Sequence, residues 1–223
     1  MTAEIIWLSK GKPKTLLHNG TEYRSGISKD QVDYLEVTSK QIKGDDVENH
    51  EYHGGSDRVI CVYPFEHYQY WEKTYGTSLP KAAFGENLTV TCMQESTVCV
   101  GDVYQIGDTI LQVSQGRFPC STINKHTNLN TLLAKTVAMG YPGYFFRVIQ
   151  EGTITSNSVI KLLEKHPKQI SISTIHHTFF HNKYDLRQIE KILSLSELSQ
   201  EWKDRMKKLH LKVKDKQFPN SSK

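Results

Sequence analysis

Apolar and polar residues alternate in short runs through the first two-thirds of the chain, then switch to a spacing of three and four. Residues 15–18 and 22–27 read as strands flanking Asn19-Gly20, a dipeptide favoured in two-residue hairpin turns. Residues 33–38 alternate again, and Val59-Ile60-Cys61-Val62-Tyr63 is a continuous apolar run of the buried-strand kind. Pro64 opens a helix at a position where its missing donor costs nothing. Phe65, Tyr68 and Trp71 then form a stripe facing the core, and Gly76 is the stop. Leu88, Val90 and Cys92 alternate in the next strand. Residues 103–106, the turn Gly107-Asp108 and residues 109–115 form a hairpin. Its second strand carries Leu111, Val113 and Gln115 on one face, with Gln112 and Ser114 on the other. Gly116, which tolerates positive φ, and Pro119, which has no amide hydrogen, stop the ladder. Residues 130–139 read as a short helix ended by Gly140, and residues 144–150 as a late strand.

Many short strands with glycine punctuation, and one convincing helix, predict a closed or sandwiched β architecture up to about Ile154. From about Asn157 the pattern changes. Val159, Ile160, Leu162 and Leu163 begin an apolar patch before Pro167. Amphipathic helices are predicted after Ser171 (Ile172, Ile175, Phe179), after Asp185 (Leu186, Ile189, Ile192) and after Ser196 (Leu198, Trp202, Met206, Leu209). The expected organisation is a mostly β domain over residues 1–156, a small three-helix domain over 157–212, and a flexible basic tail over 213–223.

A chain of 223 residues, 37% hydrophobic and 23% charged, can bury a real core. No basic segment leads into a long apolar run and no stretch is long and apolar enough to span a bilayer, so a cytoplasmic protein without a membrane partner is expected. Cys61, Cys92, Cys99 and Cys120 form no C-x-x-C pair, which points to reduced thiols. Residues 201–216 hold seven Lys/Arg against three acids, the whole of the formal excess of +4. With the rest near neutral, a nucleic-acid partner for the main domain is not supported. The basic segment reads as a solvated helix face.

Chemistry concentrates where the hairpin ends. A thiol at Cys120 beside the guanidinium of Arg117 is biased toward thiolate, the form that attacks electrophiles or binds soft metals; the plainer reading is a small buried hydrophobe. In His53-Gly54-Gly55-x-Asp57-Arg58, two glycines let backbone approach a ligand and Arg58 offers a planar donor fork suited to phosphate. The alternative is a tight turn with Asp57 paired to Arg58. His177 and His181 have the spacing of a metal-ligand pair, but no third ligand is visible. His50, His53, Asp45 and Glu51 lie in an acidic loop that reads as solvated.

Taken in order, His53-Gly54-Gly55-x-Asp57-Arg58, Phe84-Gly85-Glu86-Asn87-Leu88, Gly101-Asp102 and Gln115-x-Arg117-x-Pro119-Cys120 resemble the MOSC family, named for the C-terminal domain of molybdenum cofactor sulfurases, in its YiiM-like bacterial branch. The resemblance implies a closed β-barrel with peripheral helices followed by three helices. It also implies molybdenum cofactor (Mo-molybdopterin), with Cys120 as metal ligand and catalytic residue. Arg58 and Arg117 would take the cofactor's phosphate and pterin end, with His53, the Gly54-Gly55 backbone and Asn87 orienting it, and Asp57 and Glu86 fixing those donors. The implied activity is reduction of N-hydroxylated compounds, hydroxylaminopurines or amidoxime-like molecules, to amines. Because no G-x-G-x-x-G follows a strand, electrons would come from an external flavin or iron–sulfur donor protein. A Cys120 persulfide carrier, or a store of cofactor without turnover, are rival readings, and a homodimer is left open. Family members commonly have proline where this chain has Gly116, which is expected to loosen the rim loop.

Overall fold

The computed structural model describes residues 2–51 and 53–217. The chain forms β1 (Ile5–Lys10), β2 (Lys14–His18), β3 (Thr21–Ser25), β4 (Asp30–Val32), β5 (Tyr34–Val37), β6 (Ile60–Pro64), α1 (Phe65–Tyr75), β7 (Leu88–Val90), β8 (Val103–Ile106) and β9 (Thr109–Gly116). It continues through α2 (Thr122–Thr127), α3 (Leu132–Met139), β10 (Tyr144–Gln150), β11 (Gly152–Thr155), β12 (Ile160–Glu164), α4 (Ile172–Phe180), α5 (Leu186–Leu193) and α6 (Gln200–Gln217).

The local signals act as their chemistry requires. Asn19 and Gly20 take φ of 50° and 75°, the left-handed pair that a tight hairpin between β2 and β3 needs. Pro64 caps α1 in extended conformation, and Gly76 ends the helix at φ 65°. On α1, Tyr68 and Trp71 are buried against Tyr63 and Phe84, and the Trp71 indole donates to the Tyr63 hydroxyl at 2.8 Å. Ser171 and Asp185 cap α4 and α5, each side chain accepting the amide three residues on, from Thr174 and Gln188.

The architecture is mixed β/α with a C-terminal helical domain, and the expected closed barrel is corrected to an open sheet. Eight strands pair in the order β12-β8-β9-β10-β6-β7-β1-β4, while β11-β5 and β2-β3 form separate ribbons. All neighbours are antiparallel except β6 and β7, between which α1 is the crossover. Both ends of the sheet carry charge that discourages further pairing. Asp30 of β4 accepts an ion pair from Lys14 at 2.7 Å, and β12 exposes Lys161 and Glu164. Alternation along each strand is the same in open and closed sheets, so closure is not written in it.

Two expected boundaries also move. β12 pairs with β8 inside the stretch 157–212 that was expected to be helical, and the helices begin only at Ile172. α6 runs through Gln217 with Val213 buried, so the expected tail at 213 starts within a helix; residues 218–223 lie outside the described residues.

One apolar cluster spans sheet and helices, joining Val62, Val113 and Phe146 to Ile172, Ile175, Leu198, Trp202 and Met206. Each fully buried side chain of this size contributes roughly 1.5–3 kcal/mol. At its centre Trp202 is wholly buried and its indole nitrogen donates to the Gly116 carbonyl at 2.7 Å. Gly116 is therefore no loose joint. It is buried, pairs with Tyr144 across β9 and β10, and has no positive φ. A Cβ there would stand 3.2 Å from Ile172 Cγ2 and 3.8 Å from Trp202, so the glycine serves close helix-on-strand packing.

His176 of α4 is 1% exposed, with neither ring nitrogen hydrogen-bonded, and its ring lies 4.4 Å from that of Phe180. Burial, and then the charges that His181 and His177 acquire, push its pKa down to about 4. The unfolded chain protonates this group near pH 6.5 while the fold keeps it neutral. The stability it supplies is thus complete above about pH 6.5 and is lost as pH falls toward about 4. Lowering the pH from 7 to 4.5 should reduce the urea unfolding free energy of the wild type by about 2 kcal/mol more than that of His176→Leu. Equal losses would contradict this account of the histidine.

Candidate functional site

The turn at Gly54-Gly55 requires left-handed backbone, with φ of 84° and 92°, which favours glycine at both positions. It leads into β6, whose neighbour in the sheet is β10, and β10 in turn pairs with β9. That adjacency brings two segments sixty residues apart to one end of the sheet. There a cleft of about 500 Å³ is lined by His53, Gly54, Arg58, Asn87, Arg117 and Cys120 together. Of the residues that the family resemblance assigns to the cofactor, Gly55, Asp57 and Glu86 do not line it.

Each has a definite place. Asp57 is not paired with Arg58. It accepts from Arg147 Nε at 2.9 Å and Nη2 at 2.8 Å, tying the turn to β10. Arg58 instead donates Nε–H to the Gly54 carbonyl at 2.6 Å and Nη1–H to Glu201 at 3.0 Å. Glu86 is fully buried, accepting from the Tyr68 hydroxyl at 2.6 Å, the Thr89 hydroxyl at 2.8 Å and the Phe84 amide at 3.2 Å. Burial raises its pKa, and those hydrogen bonds pull the other way. It holds the Phe84-Gly85 corner under the cleft.

Asn87 braces the cleft wall with its whole amide. Its Oδ1 accepts the Cys61 amide at 3.0 Å, and its Nδ2 donates to the Ser9 carbonyl at 3.2 Å and to Asp45 at 2.9 Å. Asp45 belongs to the loop read as solvated, yet it forms a nearly buried ion pair with Lys29, their side chains 11% and 5% exposed. It accepts the Gly11 amide as well, at 2.8 Å. Cys61 also lines the cleft, but burial pushes its thiol up to about 11, so it stays protonated at neutral pH. Cys120 is half-buried at the rim, in the loop between β9 and α2.

That loop is anchored by Phe118. Its ring meets Phe179, Phe180 and Trp202 at 5.4, 5.3 and 4.9 Å, and the Arg205 guanidinium stacks 4.0 Å from its centroid. The helical domain therefore forms part of the cleft. Glu201 of α6 bridges Arg58 and Arg205, the latter at 2.9 Å.

The cleft's charge is unbalanced. Arg24, Lys29, Arg58, Arg117 and Arg205 line it against Asp45, Glu48 and Glu201. Each carboxylate is already bonded to a cation other than Arg117. Arg117 Nη1 is sequestered with no hydrogen-bond partner, as is Gln115 Oε1. A buried, unspent guanidinium donor amid excess positive charge has the chemistry to bind an anion. Burial, then Arg117 and Arg58, lower the pKa of His53 while Glu201 opposes them, so a neutral imidazole with one donor and one acceptor stands beside these arginines at pH 7. Among the described residues no three His, Cys, Asp or Glu side chains gather as a metal site, and His181 instead contacts the Val137 carbonyl at 3.0 Å. Nor is any helix among them long and apolar enough to cross a membrane.

Lys29, Arg24, Glu201 and Arg205 were not singled out by sequence reasoning. For Glu201 and Arg205 a signal existed: their i, i+4 spacing flanks Trp202, which the helical pattern placed inward.

Comparison with known proteins agrees with this fold. A MOSC domain model matches residues 49–161, and a model of the YiiM-like, 3-alpha helix domain matches residues 170–209. The uncharacterized protein YflK of Bacillus subtilis (strain 168) is 36% identical over 216 residues, covering 96% of each chain. A protein named reductase from Gibberella moniliformis (strain M3125 / FGSC 7600) is 34% identical over 155 residues, which is 67% of this chain and 28% of that one. The crystal structure of YiiM from Geobacillus stearothermophilus superposes with a TM-score of 0.80 at 32% identity, covering 93% of this chain and 99% of that one.

The ion pair beneath the cleft can be tested by removing one half. Asp45→Ala leaves the Lys29 ammonium uncompensated and should cost about 3–5 kcal/mol in urea unfolding. Asp30→Ala, which breaks the exposed pair with Lys14, should cost about 1 kcal/mol or less. Similar losses for the two variants would contradict the buried role of Asp45.

Proposed function

The chain belongs to the MOSC domain family, and on that footing we propose that it is a molybdenum-cofactor oxidoreductase that reduces N-hydroxylated compounds to amines. MOSC domains are associated with molybdenum cofactor binding, and similarity to a fungal protein named reductase supports the reaction class. One observation carries the reading. The same cleft holds a half-buried cysteine at its rim and a buried arginine donor with nothing to bind. A pterin cofactor that ends in phosphate and presents a soft metal asks for both groups.

The residues divide by what they offer. Arg117 has an unused donor for a phosphate or pterin oxygen. Arg58 adds a second guanidinium, already aimed by Gly54 and Glu201 so that it loses little freedom on binding. His53, neutral at pH 7, gives or accepts one hydrogen bond without adding charge. The Gly54 backbone allows close approach. Asn87 keeps the wall rigid through Cys61, Ser9 and Asp45, while Asp57 and Glu86 fix the two turns from behind. Cys120 supplies a thiolate to the metal.

Bound there, molybdenum cofactor would supply the two-electron reducing centre. Cleaving the N–O bond consumes two electrons and two protons and releases amine and water. The electrons come from a separate donor protein of the flavin or iron–sulfur class.

The protein should be produced in a host that makes the cofactor, then supplied with reduced methyl viologen and 6-hydroxylaminopurine or benzamidoxime. The wild type should contain molybdenum and form adenine or benzamidine. Cys120→Ala should lose both while keeping the wild-type circular dichroism. Normal molybdenum content and turnover in that variant would refute the assignment of Cys120. Molybdenum-loaded wild type that reduces neither compound would refute the substrate class.

A further inference from the structure

A second cleft, of about 700 Å³, opens beside the first. The two share Glu201 and Arg205, so they are neighbours across one turn of α6. Its α6 wall carries Arg205, Lys208, Lys212 and Lys216, spaced by three, four and four, so that all lie on one helix face. Lys183, from the loop after α4, faces them. Five cations thus line this space against Glu201 and Asp204.

Both carboxylates already accept hydrogen bonds, Glu201 from two cations and Asp204 from a neutral amide. Glu201 is held by Arg58 and Arg205, and Asp204 accepts from Gln200 at 2.8 Å. Among the described residues, Lys183, Lys208, Lys212 and Lys216 make no ion pair within 4.0 Å. Like charges at i, i+4 destabilise a helix, and Lys208, Lys212 and Lys216 stack two such pairs in succession, with Asp215 the one acid in that stretch and outside the cleft lining. A concave wall that concentrates uncompensated ammonium groups focuses positive potential into the space it encloses.

The shape selects among anions. A flat basic face would suit a protein surface, whereas a cleft that shares Glu201 and Arg205 with the neighbouring site suits the anionic end of a small molecule whose other end sits in that site. We propose that the second cleft is a polyphosphate subsite, and that the preferred substrate is an N-hydroxylated purine nucleoside triphosphate rather than the free base. The inference rests on the reading of the first cleft as the place where the N-hydroxylated base is reduced. Its base reaches past Arg205 toward Cys120, and its phosphates lie against Lys208, Lys212 and Lys216.

Two measurements on the molybdenum-loaded protein separate this subsite from the reaction itself. In the first, kcat/KM with reduced methyl viologen is compared for 6-hydroxylaminopurine and for its ribonucleoside 5′-triphosphate. The triphosphate should be favoured by about tenfold or more at low salt, and the preference should shrink as ionic strength rises. Lys208→Gln/Lys212→Gln should abolish the preference while leaving kcat/KM for the base unchanged. In the second, calorimetry follows inorganic tripolyphosphate, whose Kd should weaken about tenfold in the double variant. If neither base nor triphosphate is reduced but tripolyphosphate binds and the variant loses it, the subsite stands and the reductase reading falls. Equal kcat/KM for base and triphosphate would overturn the proposal. So would a double variant that loses molybdenum, since the anion would then belong to the cofactor, or one whose only change is a raised KM for a protein electron donor.

Discussion

The hydrogen bond from the Trp202 indole to the Gly116 carbonyl is the contact on which the rest of the arrangement depends. It joins the last helix to the last residue of β9, where the sheet stops and the chain turns into Arg117, Phe118, Pro119 and Cys120. Trp202 is completely buried, so this carbonyl has no water to fall back on. Without a Cβ at Gly116, Ile172 and Trp202 close directly on the strand. Phe118 continues the same aromatic packing one step further, so that the thiol at the rim hangs from a fixed point. The helical domain thereby supplies one wall of the cleft and holds the loop that delivers its sulfur.

Electrostatics then divides the cleft into settled and unsettled charge. Lys29 with Asp45, and Arg58 and Arg205 with Glu201, are pairs whose donors are already directed. Burying charge is costly, and these pairs repay the cost only because the carboxylates accept further hydrogen bonds, as Asp45 does from Gly11 and Asn87. Arg117 is the exception, with a sequestered donor and no acceptor. Such a group is tolerated in a binding site because a ligand completes it. Burial first, and then the positive potential of Arg117 and Arg58 that also suits an anion, keep His53 neutral there.

The short motifs around the cleft were legible because each is local. Asn19-Gly20, Pro64, Gly76, the hairpin turn at Gly107-Asp108 and the caps Ser171 and Asp185 act within a few residues, and the chain alone displays them. The segments carrying His53, Arg58 and Cys120 could be named in advance, and strand pairing accounts for their meeting. What pairing does beyond one strand was not legible. An open and a closed sheet show the same alternation, and β12, an exposed charged edge, carries no buried face to betray it. Asp45 reads as part of a solvated loop because nothing in the sequence places Lys29, sixteen residues away, beside it. Gly116 was misread because a glycine needed for tight packing and one needed for positive φ are the same letter. Glu201 and Arg205 were absorbed into a basic helix whose inner edge only the fold reveals.

The central claim is that one sulfur of this chain, that of Cys120, joins the metal at the mouth of the cleft. X-ray absorption at the molybdenum edge tests it most directly, on protein loaded in a cofactor-producing host and altered so that Cys120 is the sole cysteine, with Cys61, Cys92 and Cys99 all replaced by serine. The account predicts three sulfur neighbours of molybdenum, two from the pterin dithiolene and one from the protein. Two sulfur neighbours in that variant would contradict it.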